Sequence, residues 1–176
     1  MSQEIFDIVD DNDKIISRAT RKEAHTKGLT HRSVMFFIFN KKGELFLNKR
    51  SSNKEFEGGK YSIVLGGHVK SGDSYEKSVI REAQEEAGIT SKPHFIAYFK
   101  NRCKEKDKEN CALYFFITDK VTLDKTEVEQ GGFVKIGGLK KILKEKDFIL
   151  ETKILYKILL ENKEKVLQKI KNNGEA

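Results

Sequence analysis

Three glutamates stand close together in the sequence, Glu82, Glu85 and Glu86, within a helical pattern that runs over residues 74–87. At about 100° per residue, three positions spaced in this way fall within an arc of roughly 100° on one helix face. Carboxylates crowded on one face raise one another's pKa unless a cation joins them. The spacing therefore predicts a site for a hard divalent cation with oxygen ligands, Mg²⁺ first and Mn²⁺ as a substitute.

A pair of glycines precedes this helix. Gly66 and Gly67 follow a short apolar run, and neither carries a side chain. The backbone carbonyl of Gly66 can therefore approach the same cation, and a phosphate can approach Gly67. An ordinary surface helix with charge pairs four residues apart explains the acids alone. Because it does not explain the strand, the glycines and the spacing together, we favour the chemical interpretation.

The segment GHVKSGDSYEKSVIREAQEEAGI resembles the signature of the Nudix hydrolases. The matching positions are Gly67, Arg81, Glu82, Ala83, Glu85, Glu86, Gly88 and Ile89. Asp73 stands where the family has a glutamate, which shortens the side chain by one methylene. The resemblance implies an α/β fold, a Nudix-type α/β/α sandwich with a mixed central β-sheet. It also implies a Mg²⁺-dependent hydrolase that cleaves a small-molecule diphosphate, which we expect to be a nucleoside diphosphate linked to another group.

The resemblance also assigns roles within the signature. It makes Glu82 and Glu86 metal ligands with Glu85 as a third, shares the catalytic roles among these three, and lets Arg81 orient a glutamate through a charge-assisted bond. In many members the general base lies on a loop outside the signature. Glu127 and Glu129 are the candidates, and Glu129 is included among the predicted catalytic residues. A strand-end cation, Arg50, and the residues Gly67 and His68 are predicted to contact the substrate.

Upstream segments, including RKEAHTKGLTHRSV, resemble the Nudix branch related to isopentenyl-diphosphate isomerase. The isomerases bind a metal through histidines and acids. The residues at roughly matching positions here are His25, His31, His68 and Glu109, and whether His25 and His31 bind a metal stays open. The isomerases also carry a catalytic cysteine where this chain has Gly66. Isomerisation needs that acid/base partner, so the sequence favours hydrolysis over an isomerase-like activity.

The elements that must position these residues follow from hydrophobic patterning and turn signals. We expect one domain over residues 1–176, with an N-terminal hairpin extension over 1–30 and a closing helix over 147–172. Strands are predicted over 33–39, 44–48, 61–65, 94–100, 112–119 and 132–136. The charged stretch 101–110 is predicted to be a loop, and Gly88 is expected to cap the signature helix.

The composition limits which other classes of protein the chain can belong to. The 176 residues carry a formal charge of +7, no apolar run long enough for a membrane helix and only two cysteines, Cys103 and Cys111. We therefore expect a soluble, cytoplasmic protein, and a homodimer is compatible with the sequence. Residues 139–171 hold ten lysines against five acids without an accompanying aromatic row, which favours a solvated face over a nucleic-acid-binding module. A catalytically silent nucleotide sensor is a further alternative, which the intact acids disfavour.

Overall fold

A nine-stranded mixed sheet forms the centre of the computed structural model, which describes residues 4–54 and 56–174. The strands are β1 Ile5–Val9, β2 Ile15–Thr20, β3 His31–Phe39, β4 Leu45–Arg50, β5 Tyr61–Ser62, β6 Leu65–His68, β7 His94–Lys104, β8 Asp107–Ile117 and β9 Val128–Val134. The helices are α1 Arg21–Lys27, α2 Tyr75–Ala87, α3 Ile136–Glu145 and α4 Thr152–Gly174.

Strand β3 organises the sheet. It pairs in parallel with β8 and antiparallel with β1, β4 and β6, while β7 extends the sheet beyond β8 and β9 pairs with β4. The sheet is therefore mixed. Because side chains alternate across a strand, β3 sends Phe37 and Phe39 to one face and Val34, Phe36 and Ile38 to the other.

Helices cover both faces. On one side, Leu155 and Leu159 of α4 pack with Leu139 of α3 against Phe37 and Phe39. On the other, the apolar stripe of α2 packs against the alternate β3 residues. These contacts give the predicted α/β/α sandwich, and the fold prediction is confirmed. None of the helices within the described ranges combines the length and apolar character that crossing a membrane requires.

The signature helix α2 begins and ends at residues suited to those positions. The Ser74 side chain accepts a hydrogen bond from the Lys77 N–H at the first turn, and Gly88 adopts a left-handed conformation with φ of 64° at the end. Val79 and Ala83 are fully buried against the sheet, so the neighbouring arc that bears the glutamates is turned toward the loops. The predicted cap at Gly88 is confirmed.

Three local predictions were wrong. The stretch 101–110 is not a loop, because β7 and β8 continue through it to a tight turn and bury Asn101, Glu109 and Asn110. Their inward-facing polar side chains hide the strand pattern. The apolar run 61–65 divides into β5 and β6, and the last strand starts at Val128 rather than at residue 132. Helix α3 was missed because it contains two glycines, which disfavour helix.

Candidate active site

The glycine segment, residues 66–72, comprises the last three residues of β6 and the start of the loop before α2. Gly66 has a φ of 154°, and a Cβ atom placed there would lie 2.1 Å from the carbonyl oxygen of Val34 on the neighbouring strand. Its N–H donates to Glu86 Oε2 at 3.0 Å. A Cβ atom at Gly67 would lie 2.5 Å from the Glu82 carboxyl carbon. Gly66 therefore lets β6 lie close to β3 while its N–H reaches Glu86, and Gly67 lets the backbone approach the Glu82 carboxylate.

The three signature glutamates lie on the wall of one cavity of about 580 Å³. Glu82 and Glu86 are mostly buried, whereas 57% of the Glu85 side chain is exposed. Arg81 contacts Glu82 at 2.6 Å and Glu85 at 3.1 Å, and it also donates to the His68 carbonyl oxygen at 3.1 Å. The structure thus brings the acids together as their spacing predicts, with the Arg81 guanidinium beside two of them.

Burial gives these acids unusual electrostatics. Loss of water raises the pKa of Glu86 to about 7, with a further contribution from the charge of Glu82. Burial also raises the pKa of Glu82, although Arg81 opposes that shift. Arg81 has no direct contact with Glu86, whose strongest described partner is the neutral Gly66 N–H. The charged Glu86 carboxylate is thus hydrogen-bonded to a neutral group and has no positively charged side chain in direct contact among the described residues.

The donor set fits a hard divalent cation. Carboxylate oxygens from two consecutive turns of α2 lie beside Gly66 and Gly67, and a Cβ atom at either glycine would fill space next to these oxygens or push the strand away. A cation there would supply the positive charge that the Glu86 carboxylate needs beside it. Glu82 and Glu86 would hold it, with Glu85 at the exposed side.

Cationic side chains line the same cavity. Arg21, Arg50, Lys54 and Lys70 are among its lining residues. Lys54 contacts Glu127, and burial lowers the pKa of its ammonium group. Arg50 donates one hydrogen bond to the Phe56 carbonyl oxygen, and its Nε atom is buried with no hydrogen-bond partner among the described residues. Acids and bases therefore share one cavity, which suits a polyanion bridged to the acids by a cation.

Histidines form a second cluster in this region. One ligand atom from each of His25, His31, His68 and Asp107 lies within 4.8 Å of the others, a spacing that could hold a metal ion. Burial lowers the pKa of His31 and His68, which keeps both rings neutral and able to act as ligands. Glu109 Oε1 lies 3.7 Å from His68 Nε2, and burial raises the pKa of Glu109 to about 7.

The arrangement of strand, glycines, acidic helix and mixed sheet is matched by known proteins. The NUDIX domain family model matches residues 29–148. The chain belongs to the Nudix family.

Individual relatives are similar over part or most of the chain. An uncharacterised Nudix hydrolase of Streptomyces coelicolor is 36% identical over 99 residues, which cover 56% of this chain and 55% of that protein. The Nudix chain thus spans about half the length of this relative. An isopentenyl-diphosphate Delta-isomerase of Photorhabdus laumondii is 31% identical over 137 residues, covering 73% of this chain and 78% of the isomerase. A solved structure from Deinococcus radiodurans matches with a TM-score of 0.75 at 20% identity, covering 90% of this chain and 98% of that one.

One predicted catalytic residue of this Nudix site, Glu129, lies elsewhere, and so does Asp73, which stands at the signature position of a glutamate. Glu129 does not line the cavity, because its carboxylate pairs with Lys49 at 3.1 Å and accepts from Ser52 at 3.3 Å. The neighbouring Glu127 does line it. Glu127 lies just before β9, and the register of β9 against β4 shifts next to Glu129, so the regular alternation of side chains is interrupted between these two acids. Asp73 pairs with Lys77 at 2.6 Å and also lies outside the cavity lining. Arg50, Gly66, Gly67, His68 and the three signature glutamates all line the Nudix cavity.

Sequence reasoning missed Lys54, Lys104 and Asp107. Lys104 lines the Nudix cavity, and its Nζ atom lies 3.2 Å from both Glu57 and Glu151 and 3.6 Å from Asp107. For Lys104 and Asp107, the signal in the sequence was the charged stretch 101–110. Its acids and lysines are typical of a solvated loop, and only the strand pairing shows that they face inward.

The raised pKa of Glu86 has a consequence for the stability of the metal-free protein. Its value of about 7 in the folded state exceeds the ordinary 4.5, so the folded state holds this proton more tightly than the unfolded state. The charged carboxylate therefore destabilises the fold as pH rises from about 4.5 to 7, and the penalty levels off above that range. We expect Glu86→Gln to stabilise the metal-free protein by about 2–4 kcal/mol at pH 8 and to have little effect at pH 4.5.

Urea unfolding of both proteins in chelator, repeated across this pH range, measures the difference. Taking the difference between the two proteins cancels the titration of the histidines and of Glu109. A difference that stays constant with pH would contradict the assignment of a raised pKa to Glu86.

Proposed function

We propose that this Nudix domain hydrolyses the phosphoanhydride bond of a diphosphate with Mg²⁺ as its cofactor, and that the substrate is a nucleoside diphosphate linked to another group. The observation that carries the proposal is the single cavity in which Glu82, Glu85 and Glu86 lie with Arg50 and Lys54. Membership of the Nudix family supports diphosphate hydrolysis in general. The metal and the substrate class are inferred from the acids and the cations.

Each group has a chemical part in this proposal. Glu82 and Glu86 would hold the cation, with Glu85 as the exposed third ligand, and Arg81 keeps Glu82 in position. A divalent cation held there would neutralise phosphate oxygens and make water more acidic. Arg50 and Lys54 bind the phosphates, whose charge would draw Lys54 away from Glu127. The freed Glu127 carboxylate then accepts the proton of the attacking water.

The water oxygen forms a bond to one phosphorus as the bond from that phosphorus to the bridging oxygen breaks. The second phosphate departs with the bridging oxygen. His68 follows Gly67 within the glycine segment and lines the cavity, where it can contact the phosphates. Because the cation and the basic side chains act on the same anion, hydrolysis should need both.

A screen of diphosphates with Mg²⁺ tests this function. We expect release of phosphate-bearing products from nucleoside diphosphates linked to sugars or nucleosides, no turnover in chelator, and none with Glu86→Gln. The panel includes dinucleotides, sugar nucleotides and prenyl diphosphates. Turnover confined to isopentenyl diphosphate, with its isomer as the product, would replace the hydrolase proposal with the second candidate below.

That second candidate is an isomerase-like activity, favoured by the histidine cluster and by similarity to the Photorhabdus laumondii isomerase. Two features disfavour it. Residue 66 is glycine and cannot act as an acid or base. Neither Cys103 nor Cys111 lines the cavity within the part of the chain that the structure describes. We therefore rank hydrolysis first.

A pair of matched variants tests the general base. Glu127→Gln should lower kcat about 100-fold, because the amide cannot accept the proton from water, whereas Glu129→Gln should change kcat less than twofold. Both changes remove one carboxylate that pairs with a lysine, so their effects on folding are similar. Steady-state kinetics with the substrate found in the screen gives both values. The reverse order of effects would assign the base to Glu129.

A further inference from the structure

The N-terminal hairpin of β1 and β2 lies outside residues 29–148, the range matched by the Nudix model, yet it contacts the active site. Phe6 of β1 packs on His31 and His68, with ring centroids 5.0 and 4.7 Å apart. The next residue, Asp7, points its carboxylate toward the glycine segment and is only 4% exposed. A buried carboxylate needs strong partners.

Those partners are supplied by the end of the glycine segment. The Ser71 hydroxyl donates to Asp7 Oδ1 at 2.7 Å, and the Gly72 N–H donates to Oδ2 at 3.0 Å. Arg18 of β2 adds a contact to Oδ1 at 3.2 Å from a side chain that is itself exposed. Burial alone would raise the pKa of Asp7, but the hydrogen bonds from Gly72, Ser71 and Arg18 outweigh it and lower the pKa. Asp7 is therefore charged and held by the segment.

The other end of the same segment contacts the acids. The Gly66 N–H binds Glu86, Gly67 lies against the Glu82 carboxylate, and the His68 carbonyl oxygen binds Arg81. A seven-residue stretch is thus fixed at its far end by Asp7 and sets the positions of the acids at its near end. A shift of this stretch would move the Gly66 N–H relative to Glu86.

We propose that Asp7 is a positioning residue for the metal-binding acids and that it acts through the glycine segment. The inference rests on the proposed function only in taking Glu82 and Glu86 as metal ligands. Under this proposal, the N-terminal hairpin contributes to metal binding by holding the glycine segment in place.

The hairpin has other attachments, which make the effect of Asp7 separable from loss of the hairpin. Asp13 accepts hydrogen bonds from Arg32 at 3.1 Å and from the Tyr75 hydroxyl at 3.0 Å, and Phe6 is fully buried. The hairpin should therefore stay in place when Asp7 is changed. What changes is the anchor of the glycine segment.

The test is Mn²⁺ binding to the whole protein, followed by electron paramagnetic resonance without substrate, with Asp7→Asn as the variant. An asparagine has the same shape, but its NH₂ group only donates, so one of the two hydrogen bonds that Asp7 accepts from the Ser71 hydroxyl and the Gly72 N–H is lost. We expect the Mn²⁺ dissociation constant to rise about tenfold, as typically follows loss of an outer contact to a metal site. The relevant Mn²⁺ site is the one that Glu86→Gln removes. In turnover, kcat should fall about tenfold with KM within twofold.

Asp11→Asn is the matched control. Asp11 is on the same hairpin and pairs with Lys100 at 3.0 Å, away from the glycine segment, so its loss should leave Mn²⁺ affinity unchanged. If Asp7→Asn does not fold, Ser71→Ala removes one donor and should raise the dissociation constant about threefold. Equal affinity in wild type, Asp7→Asn and Ser71→Ala would overturn the inference and leave the function intact. A wild-type protein that binds no Mn²⁺ at the acids would instead refute the proposed function.

Discussion

Replacing Glu86 with Gln should lower metal-dependent turnover by at least about 1,000-fold, the largest activity loss that we expect from a single change. Glu86 is the most buried of the three signature acids, and its carboxylate has only the Gly66 N–H and the distant charges of Lys54 and Arg50 to support it. A glutamine keeps the shape and can still accept from Gly66, but it offers the cation a neutral oxygen. The lost transition-state stabilisation at 1,000-fold is about 4 kcal/mol.

The experiment compares kcat for wild type, Glu86→Gln and Glu85→Gln over a Mg²⁺ titration. Glu85 is more than half exposed and shares Arg81 with Glu82, so its substitution should cost only about tenfold and raise the Mg²⁺ concentration needed for half-maximal rate. Urea unfolding of Glu86→Gln shows separately whether the variant is folded, so that a loss of metal binding is distinguished from a loss of the fold. Activity within tenfold of wild type in Glu86→Gln would refute the placement of the metal.

Replacing Gly66 with Ala should destabilise the protein by about 3 kcal/mol or more, the largest stability loss that we expect from adding one methyl group. The new Cβ would meet the Val34 carbonyl oxygen at 2.1 Å and the Met35 Cα at 2.9 Å, and both belong to the central strand β3. Neither backbone group can rotate away. The strand β6 must therefore move outward, which also breaks the Gly66 contact with Glu86.

Gly72→Ala is the control for Gly66→Ala. Gly72 also has a positive φ, of 83°, but nothing lies within 4 Å of a Cβ placed there. Its cost should be the conformational one alone, about 1 kcal/mol. Chemical unfolding gives both values, and equal losses would show that the backbone around Gly66 relaxes. Gly66→Cys meets the same obstruction, so restoring the cysteine of the isomerases should destabilise the chain without producing isomerase activity.

The signature helix could be predicted from the sequence because its determinants are local. The helical period, the Ser74 cap, the Gly88 cap and the spacing of the acids all lie within one continuous stretch. The mixed sheet followed from the resemblance, and the hydrophobic runs located β3 and β4 to within a few residues.

Residue spacing alone could not predict how the rest of the site comes together, because its determinants are distant in sequence; only the resemblance pointed to His25, His31 and His68. The histidine cluster takes one residue each from α1, β3, β6 and the β7–β8 hairpin. The pairing of β3 with β6 on one side and with β8 on the other brings His68 and Asp107 close to His31. The β7–β8 hairpin was predicted to be a loop over residues 101–110 because Asn101 and Glu109 are polar, although the Asn101 side chain donates to Glu109 at 2.7 Å in the interior of the protein. Polar residues that satisfy one another in the interior leave no hydrophobic alternation to detect.

Helix α4 packs on one face of the sheet, and this packing determines which residues the chain needs in order to fold. Residues matched by the Nudix model end at 148, but Leu155, Leu159, Val166 and Ile170 all belong to the buried cluster on one face. Without them that face would be an open apolar surface in water, prone to self-association. The independently folding unit is therefore larger than residues 29–148, because a chain cut to that range would lose both α4, which covers one face of the sheet, and the N-terminal hairpin.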